Sequence, residues 1–249
     1  MMIDTHCHLN KKDYSNLDEI INKIHDNIMI ISTCNSKEIE ETLTICKKHR
    51  NIYACLGLHP ECAETYNEND LIELEKNLNN KSVVGIGEIG LDYHYEQDNK
   101  ENQKQLFEKQ IQLAIKYNKP VVIHSRDAIE DTYNIIKKYQ NKTKFHIHCF
   151  DSNINWAKKL LDLGCTLGIG GILTFKNEKN LVEVVKEIDV NKICLETDSP
   201  YLSPEPLRGK KNEPYNVYYV AKKIAEIKKL DLDKVLEITT KTAKQIFNI

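Results

Sequence analysis

The sequence lacks the features that mark several large classes of protein. No stretch approaches 18 uninterrupted apolar residues, and the first residues hold no basic region followed by a long apolar segment. We therefore expect neither a membrane span nor a secretory signal. The 35 basic and 37 acidic residues give a net charge of −2, which excludes a general electrostatic attraction to nucleic acid or to an anionic membrane. Any binding of phosphate must come from a local site.

Cysteine pairs and flexible linkers are also absent. The eight cysteines include no C-x-x-C pair, a pattern typical of reduced and buried thiols, so we expect a cytoplasmic protein. No tract rich in Gly, Pro or Ser divides the 249 residues, and no internal repeat is visible. We therefore predict one domain over residues 1–249, large enough to bury a substantial core. Nothing in the sequence indicates an obligate protein partner.

What the sequence does contain is a regular alternation of short apolar runs and helical patterns. Most runs are continuously apolar, as expected for parallel strands that are covered on both faces. Helical patterns between them begin at Asn35, span residues 99–120 and end at Gly164. Eight strand–helix units in one chain of this length predict an α/β fold, a single (β/α)8 TIM barrel. The predicted strands cover residues 1–6, 28–33, 52–58, 82–88, 120–124, 144–150, 165–170 and 192–197.

A doubly wound open sheet is the alternative fold, and the first strand argues against it. Such a sheet would place a glycine-rich fingerprint directly after that strand, whereas this chain has "HCHL" at residues 6–9. Residues two apart on a strand point to the same side, so His6 and His8 can chelate one metal ion. The sequence therefore favours the barrel and indicates a metal site at its first strand.

Imidazoles and carboxylates end several other predicted strands. Because the carboxyl ends of barrel strands meet at one rim, these groups are expected to converge. Such ligands suit Zn²⁺, Mn²⁺ or Mg²⁺, and six donors suffice for two ions bridged by a carboxylate. Glu88, in the middle of the strand order, is the expected bridge. One ion would contact His6, His8 and Asp198, and the other His124 and His148. The six predicted metal ligands are His6, His8, Glu88, His124, His148 and Asp198.

Seven short motifs give the chain a family resemblance. In order they are "DTHCHL" (4–9), "GLHP" (57–60), "GEIGLDY" (87–93), "VVIHSRDA" (121–128), "HCF" (148–150), "ETDSPYL" (196–202) and "RGKKNEP" (208–214). Together they resemble the TatD family of metal-dependent deoxyribonucleases. The resemblance implies a TIM-barrel metallohydrolase of the amidohydrolase type, with the same six residues at the ligand positions. "HCFDSN" departs from the family's more usual "HCFSG", which leaves the effect of Asp151 and Ser152 on substrate choice open.

A two-metal site of this kind predicts hydrolysis by an activated water. Glu88 and Asp198 are the predicted catalytic residues, the first as the bridge and the second as general base as well as ligand. Cations near the mouth and polar residues on rim loops are candidates for holding a phosphate. The predicted substrate contacts are His59, Tyr93, Arg126, Arg208, Lys210 and Lys211.

Three functions remain open from the sequence. The first is a deoxyribonuclease that trims single-stranded DNA from an end, because a barrel mouth admits a splayed nucleotide more easily than a duplex. The second is hydrolysis of another ester, such as aminoacyl-tRNA or a small phosphodiester, since the same water could attack either bond. The third is a metal-binding scaffold without activity. Structural zinc sites are closed by four Cys and His ligands, whereas these donors include carboxylates on an open rim, which disfavours the scaffold.

Overall fold

The computed structural model describes residues 1–95 and 98–249 and confirms the (β/α)8 barrel. Eight parallel strands stand side by side in chain order, and helices alternate with them. The strands are β1 (Ile3–Cys7), β2 (Ile28–Ser32), β3 (Ile52–Leu56), β4 (Val83–Asp92), β5 (Val121–Arg126), β6 (Phe145–Ile147), β7 (Thr166–Ile169) and β8 (Ile193–Leu195). The α-helices are α1 (Leu17–Asn22), α2 (Ile39–Lys48), α3 (Glu68–Asn77), α4 (Lys100–Lys116), α5 (Ile129–Lys138), α6 (Ile154–Asp162), α7 (Asn180–Glu187), α8 (Val217–Lys228) and α9 (Leu232–Phe247).

Local capping explains where the predicted helices begin and end. The side chain of Asn153 accepts hydrogen bonds from the backbone N–H groups at the start of α6, and Gly164, with φ +86°, follows its end. Helix α2 begins later than predicted, at Ile39. The preceding residues 36–38 form a 3₁₀ turn, in which the Glu38 carboxylate accepts the Cys34 N–H at 2.7 Å.

Contacts between the first strand and the segment after the last strand bring the two edges of the sheet together. Cys7 and Ser199 form a parallel bridge, and the His8 N–H donates to the Ser199 carbonyl at 2.7 Å. The Asp198 N–H donates to the His6 carbonyl at 3.0 Å. These backbone bonds place Asp198 directly beside the two histidines of β1.

Two strands differ in length from the prediction, and both differences affect the site. Strand β4 continues past Glu88 to Asp92, because it stays paired with β5 along the segment that carries His124. Gly90 permits this pairing, since a Cβ at that position would collide with the His124 carbonyl oxygen. Strand β6 ends at residue 147, and His148 follows it in a turn where Cys149 has φ +45°.

The apolar core fills the barrel and the space between strands and helices. A second cluster joins Ile3, Val122 and Cys194, near the starts of their strands, to Ile246 and Phe247 of α9. The last helix therefore covers the end of the barrel opposite the polar residues. Among the described residues, no helix has both the length and the apolar character that crossing a membrane requires.

Candidate metal centre

The buried carboxylate of Glu88 lies between two groups of imidazoles. Its Oε2 is 3.3 Å from His6 Nε2 and 3.7 Å from His8 Nε2. Its Oε1 is 2.7 Å from His124 Nδ1 and 3.6 Å from His148 Nε2. Each oxygen therefore faces a different pair of nitrogen donors, which is the geometry that a carboxylate shared by two cations requires.

Asp198 completes the group of donors on the β1 side. Its Oδ1 lies 3.4 Å from His8 Nε2, 3.8 Å from His6 Nε2 and 3.7 Å from His148 Nε2. The structure thus brings together all six residues that the sequence predicts as ligands. Among these six residues, three sets of donors lie close enough for one ion: His6–His8–Glu88, His6–His148–Asp198 and Glu88–His124–His148.

Hydrogen bonds behind the imidazoles determine which nitrogen faces the centre. His8 Nδ1 lies 3.1 Å from the Ser32 carbonyl oxygen, which can only accept, so in the neutral ring Nδ1 carries the proton and Nε2 presents a lone pair. His124 is turned the other way: its Nε2 is 2.9 Å from Asp92 Oδ2, and its Nδ1 faces Glu88. Fixing the outer nitrogen in this manner is typical of histidines that bind metals.

The other two imidazoles are held in the same way. His6 Nδ1 is 3.1 Å from Ser32 Oγ. His148 Nδ1 is 3.0 Å from Glu196 Oε1, an ion-pair contact rather than a formal hydrogen bond. The His6 and His148 rings stack with their centroids 3.5 Å apart, and their Nε2 atoms lie 3.8 Å and 3.7 Å from Asp198 Oδ1.

The arrangement fits divalent cations. His6 Nε2 and His8 Nε2 are only 3.2 Å apart, and two nitrogen lone pairs at that distance repel one another unless a cation or a proton lies between them. Imidazole and carboxylate donors match the preferences of Zn²⁺ and Mn²⁺. The residues present therefore fit the metal ions that the sequence predicts.

Two carboxylates behind the ligands were missed by the sequence analysis. Asp92 holds His124, and the fully buried Glu196 contacts His148 and accepts the Cys149 N–H at 2.6 Å. A Cβ at residue 168 would collide with Glu196, so the glycine there makes room for the carboxylate. A usable signal existed, because Glu196 directly follows the last apolar residue of β8, at the strand end that is expected to face the rim.

Glu196→Gln should weaken metal binding without unfolding the barrel. The substitution keeps the volume but removes the charge that makes His148 a better ligand, and such outer contacts are worth about 10- to 100-fold in metal affinity or activity. Titration with Zn²⁺ or Mn²⁺ measures the change, and Glu183→Gln, on the exposed side of α7, is the matched control. Equal affinities for the two variants would show that Glu196 does not support the centre.

Burial and neighbouring charges set the pKa values in the metal-free protein. Burial, reinforced by the charge of His148, lowers the pKa of His6 to about 4. Burial would also lower the pKa of His124, but hydrogen bonds to Asp92 and Glu88 outweigh it and raise the value to about 10. The charges of Glu196 and Glu88 likewise outweigh burial at His148 and raise its pKa to about 9.

Metal loading at neutral pH should therefore release protons. Below pH 9, His124 and His148 carry protons that a metal ion must displace, so the affinity should fall as the pH falls. Burial would lower the pKa of His8 too, but Cys34, Asp198 and Glu88 outweigh it and raise that pKa, so we expect a release of at least about two protons per fully loaded chain, from this pair and from His8. Calorimetric titration at pH 7.5 in buffers of different ionisation enthalpy counts the protons. A heat that does not depend on the buffer would contradict the expected protonation of this pair.

His59 is one predicted substrate contact that the structure brings to the centre. Its Nδ1 accepts the Glu61 N–H at 3.3 Å, so in the neutral ring the proton is on Nε2. That Nε2 is 3.9 Å from Glu88 Oε1, and the ring packs edge-on against His124. Burial lowers the pKa of His59 to about 4. The side chain is thus a neutral hydrogen-bond donor directed toward the site.

The predicted cations have different surroundings. The Arg126 guanidinium lies over the ring of Tyr95 at 5.0 Å. Arg208 lies over Phe175 and donates to the Ser203 carbonyl. The remaining two follow in the same loop: Lys210 is exposed, and Lys211 donates to the Asp13 carbonyl.

Tyr93, the last predicted contact, is buried, with 6% of its surface exposed. Its hydroxyl donates to Asp131 Oδ2 at 2.8 Å, and the Lys100 ammonium lies 4.5 Å from its ring centroid. Both its polar group and its ring are therefore already engaged within the protein, and its contact with substrate stays a prediction.

Comparisons with known proteins agree with the geometry. The family described as TatD related DNase matches residues 3–248. An uncharacterized metal-dependent hydrolase of Bacillus subtilis (strain 168), YabD, is 39% identical over 255 residues, covering all of both chains. Another, BU355 of Buchnera aphidicola, is 38% identical over 263 residues and covers 100% of this chain and 99% of its own.

A solved structure shows the same architecture. The TatD homolog YjjV of Escherichia coli K12 superposes with a TM-score of 0.91 at 25% identity, covering 100% of this chain and 98% of its own. The match to the family extends over nearly the whole sequence and includes every residue of the candidate centre. The chain therefore belongs to the family of metal-dependent hydrolases described as TatD-related DNases.

Proposed function

We propose that this protein hydrolyses phosphodiester bonds of single-stranded DNA, starting from an end, with two divalent cations bridged by Glu88. The observation that carries the proposal is the position of the Glu88 carboxylate, whose two oxygens face separate pairs of imidazoles. The family description as DNase supports DNA as the substrate. The open mouth of the barrel suits a splayed strand better than a duplex.

The chain's own groups divide the work of hydrolysis. Divalent ions, when bound, activate a water and stabilise charge on the phosphoryl oxygens. Asp198, with 15% of its side chain exposed at the mouth, accepts the proton of the attacking water. His59 donates its Nε2–H to a phosphoryl oxygen. Because that imidazole is neutral, it binds the oxygen without repelling the cations.

A panel of substrates tests the proposal. Single-stranded DNA, duplex DNA, RNA and aminoacyl-tRNA are each incubated with the protein loaded with Mg²⁺, Mn²⁺ or Zn²⁺. We expect the fastest hydrolysis with single-stranded DNA, and mononucleotides released from one end. Hydrolysis of aminoacyl-tRNA without cleavage of any DNA would overturn the proposal and favour an ester hydrolase. Absence of hydrolysis on every substrate would favour the scaffold.

The cations at the mouth should bind the phosphate backbone. Since the net charge is −2, attraction must come from local groups, and we expect Arg126→Ala to weaken cleavage without removing metal. A variant that combines Arg208→Ala, Lys210→Ala and Lys211→Ala should do the same. The affinity for a single strand falls as the salt concentration rises. Each lost phosphate contact should make the plot of log affinity against log salt less steep by about 0.7. Affinities for a single-stranded oligonucleotide at two salt concentrations give this slope. Unchanged slopes in the variants would show that these residues do not contact the phosphates.

A further inference from the structure

Two exposed tyrosines stand at the mouth of the barrel. Tyr95 has 71% and Tyr201 58% of its surface exposed, the largest exposed fractions among the tyrosines that the structure describes. Tyr95 lies three residues after Asp92, which ends β4. Tyr201 lies three residues after Asp198, which follows β8. In a ring of eight strands, β4 and β8 lie on opposite sides. The tyrosines therefore flank the centre.

The backbone beneath Tyr201 is anchored, whereas its ring is not. The Tyr201 N–H donates to the Asp198 carbonyl at 2.9 Å, and the Tyr201 carbonyl accepts from Asn212 at 2.7 Å. The ring centroid is 6.2 Å from that of the ligand His8. A fixed backbone thus carries an exposed ring next to the residues that would bind metal.

The ring of Tyr95 has a cation on one face. The Arg126 guanidinium lies 5.0 Å from its centroid, and the His94 ring packs edge-on at 4.7 Å. With most of its surface exposed, the ring still offers area to a ligand. Proteins that bind single-stranded nucleic acids combine an aromatic ring with a nearby arginine: the ring stacks on a base, and the cation binds a phosphate.

We propose that Tyr95 and Tyr201 are stacking platforms for the bases on either side of the phosphodiester that is cleaved. The ligand class is a single-stranded oligonucleotide with unpaired bases. The proposal rests on the proposed nuclease function and adds the reason for a preference for single strands. A base can cover a tyrosine ring only when it has left its neighbours in a duplex, so the two platforms select splayed ends.

The test compares two oligonucleotides of the same length, one with all its bases and one with abasic sites at the end that is cleaved. Tyr95→Ala and Tyr201→Ala are each expected to raise KM for the complete oligonucleotide by about 5- to 100-fold. Tyr201→Ala should not change KM for the abasic oligonucleotide. Tyr95→Ala also removes the ring on which Arg126 lies, so it should raise KM for the abasic oligonucleotide by a smaller factor than for the complete one. Tyr→Phe at either position should restore the wild-type value. Leu230→Ala, which removes an exposed apolar side chain after α8, is the control. Metal content is measured for every variant.

The outcomes separate this proposal from the one on which it rests. Suppose that the wild type cleaves both oligonucleotides. If the alanine variants then keep the wild-type KM, or show KM raised by the same factor for both oligonucleotides, the stacking platforms are wrong and the nuclease stands. If the metal-loaded wild type cleaves neither oligonucleotide, the proposed nuclease function is wrong and the platforms are rejected with it.

Discussion

Glu88→Gln is expected to lower the rate of hydrolysis by at least about 1,000-fold while the barrel remains folded. The amide has nearly the same size, but it lacks the charge that two cations would share. Loss of one ion removes several kcal/mol of stabilisation of the charge that develops in the reaction. Initial rates on a single-stranded oligonucleotide, together with metal content by elemental analysis, measure both effects.

A matched control separates the loss of metal from damage to the fold. Glu183→Gln makes the same chemical change on the exposed face of α7 and should leave rate and metal content unchanged. Circular dichroism should show equal helix content in the two variants. Full metal occupancy and normal turnover in Glu88→Gln would contradict the assignment of Glu88 as the bridge.

Asp198→Asn should reduce kcat by about 100- to 10,000-fold, the range typical of a lost general base. An asparagine oxygen can still face His8, so at saturating metal the centre should stay loaded. The distinguishing readout is the solvent deuterium isotope effect on kcat. Transfer of a proton from water to Asp198 should slow the wild-type reaction in D₂O, and the variant should lack that effect.

The exposed Asp162 at the end of α6 offers the control for this change. Asp162→Asn should retain the wild-type rate and isotope effect. Asp198→Asn with a normal rate would assign the proton transfer to another group. A reduced rate with an unaltered isotope effect would leave Asp198 as a ligand without the role of base.

Much of this site could be predicted from two simple rules. Buried parallel strands appear in the sequence as short apolar runs, and the carboxyl ends of those strands share one rim of a barrel. His6 and His8 were recognisable from their spacing alone, since side chains two apart on a strand share a face. The six donors converge in the structure for these reasons.

Asp92 and Glu196 were missed because recognising them requires knowing where their strands end. Asp92 looked like part of a loop because β4 was predicted to end at residue 88, whereas its pairing with β5 extends it to Asp92. Glu196 was hidden at the end of an apolar run. In the same way, the sequence "DYHY" does not reveal that Tyr93 turns inward to Asp131 while Tyr95 faces solvent.

Orientation of the imidazoles could not be predicted either. His8 presents Nε2 because the carbonyl of Ser32, on the neighbouring strand, holds Nδ1, and His124 presents Nδ1 because Asp92 holds Nε2. Both choices arise from contacts between strands that a linear pattern does not encode. They determine the chemistry, because the free lone pair decides where a cation can bind.

The most direct test of the account is anomalous diffraction from crystals of the protein loaded with Mn²⁺ or Zn²⁺. We predict two peaks per chain, on opposite sides of the Glu88 carboxylate and roughly 3.5–4 Å apart. One should contact His6, His8 and Asp198, and the other His124 and His148. A single peak, or two peaks that do not share Glu88, would contradict the two-cation centre.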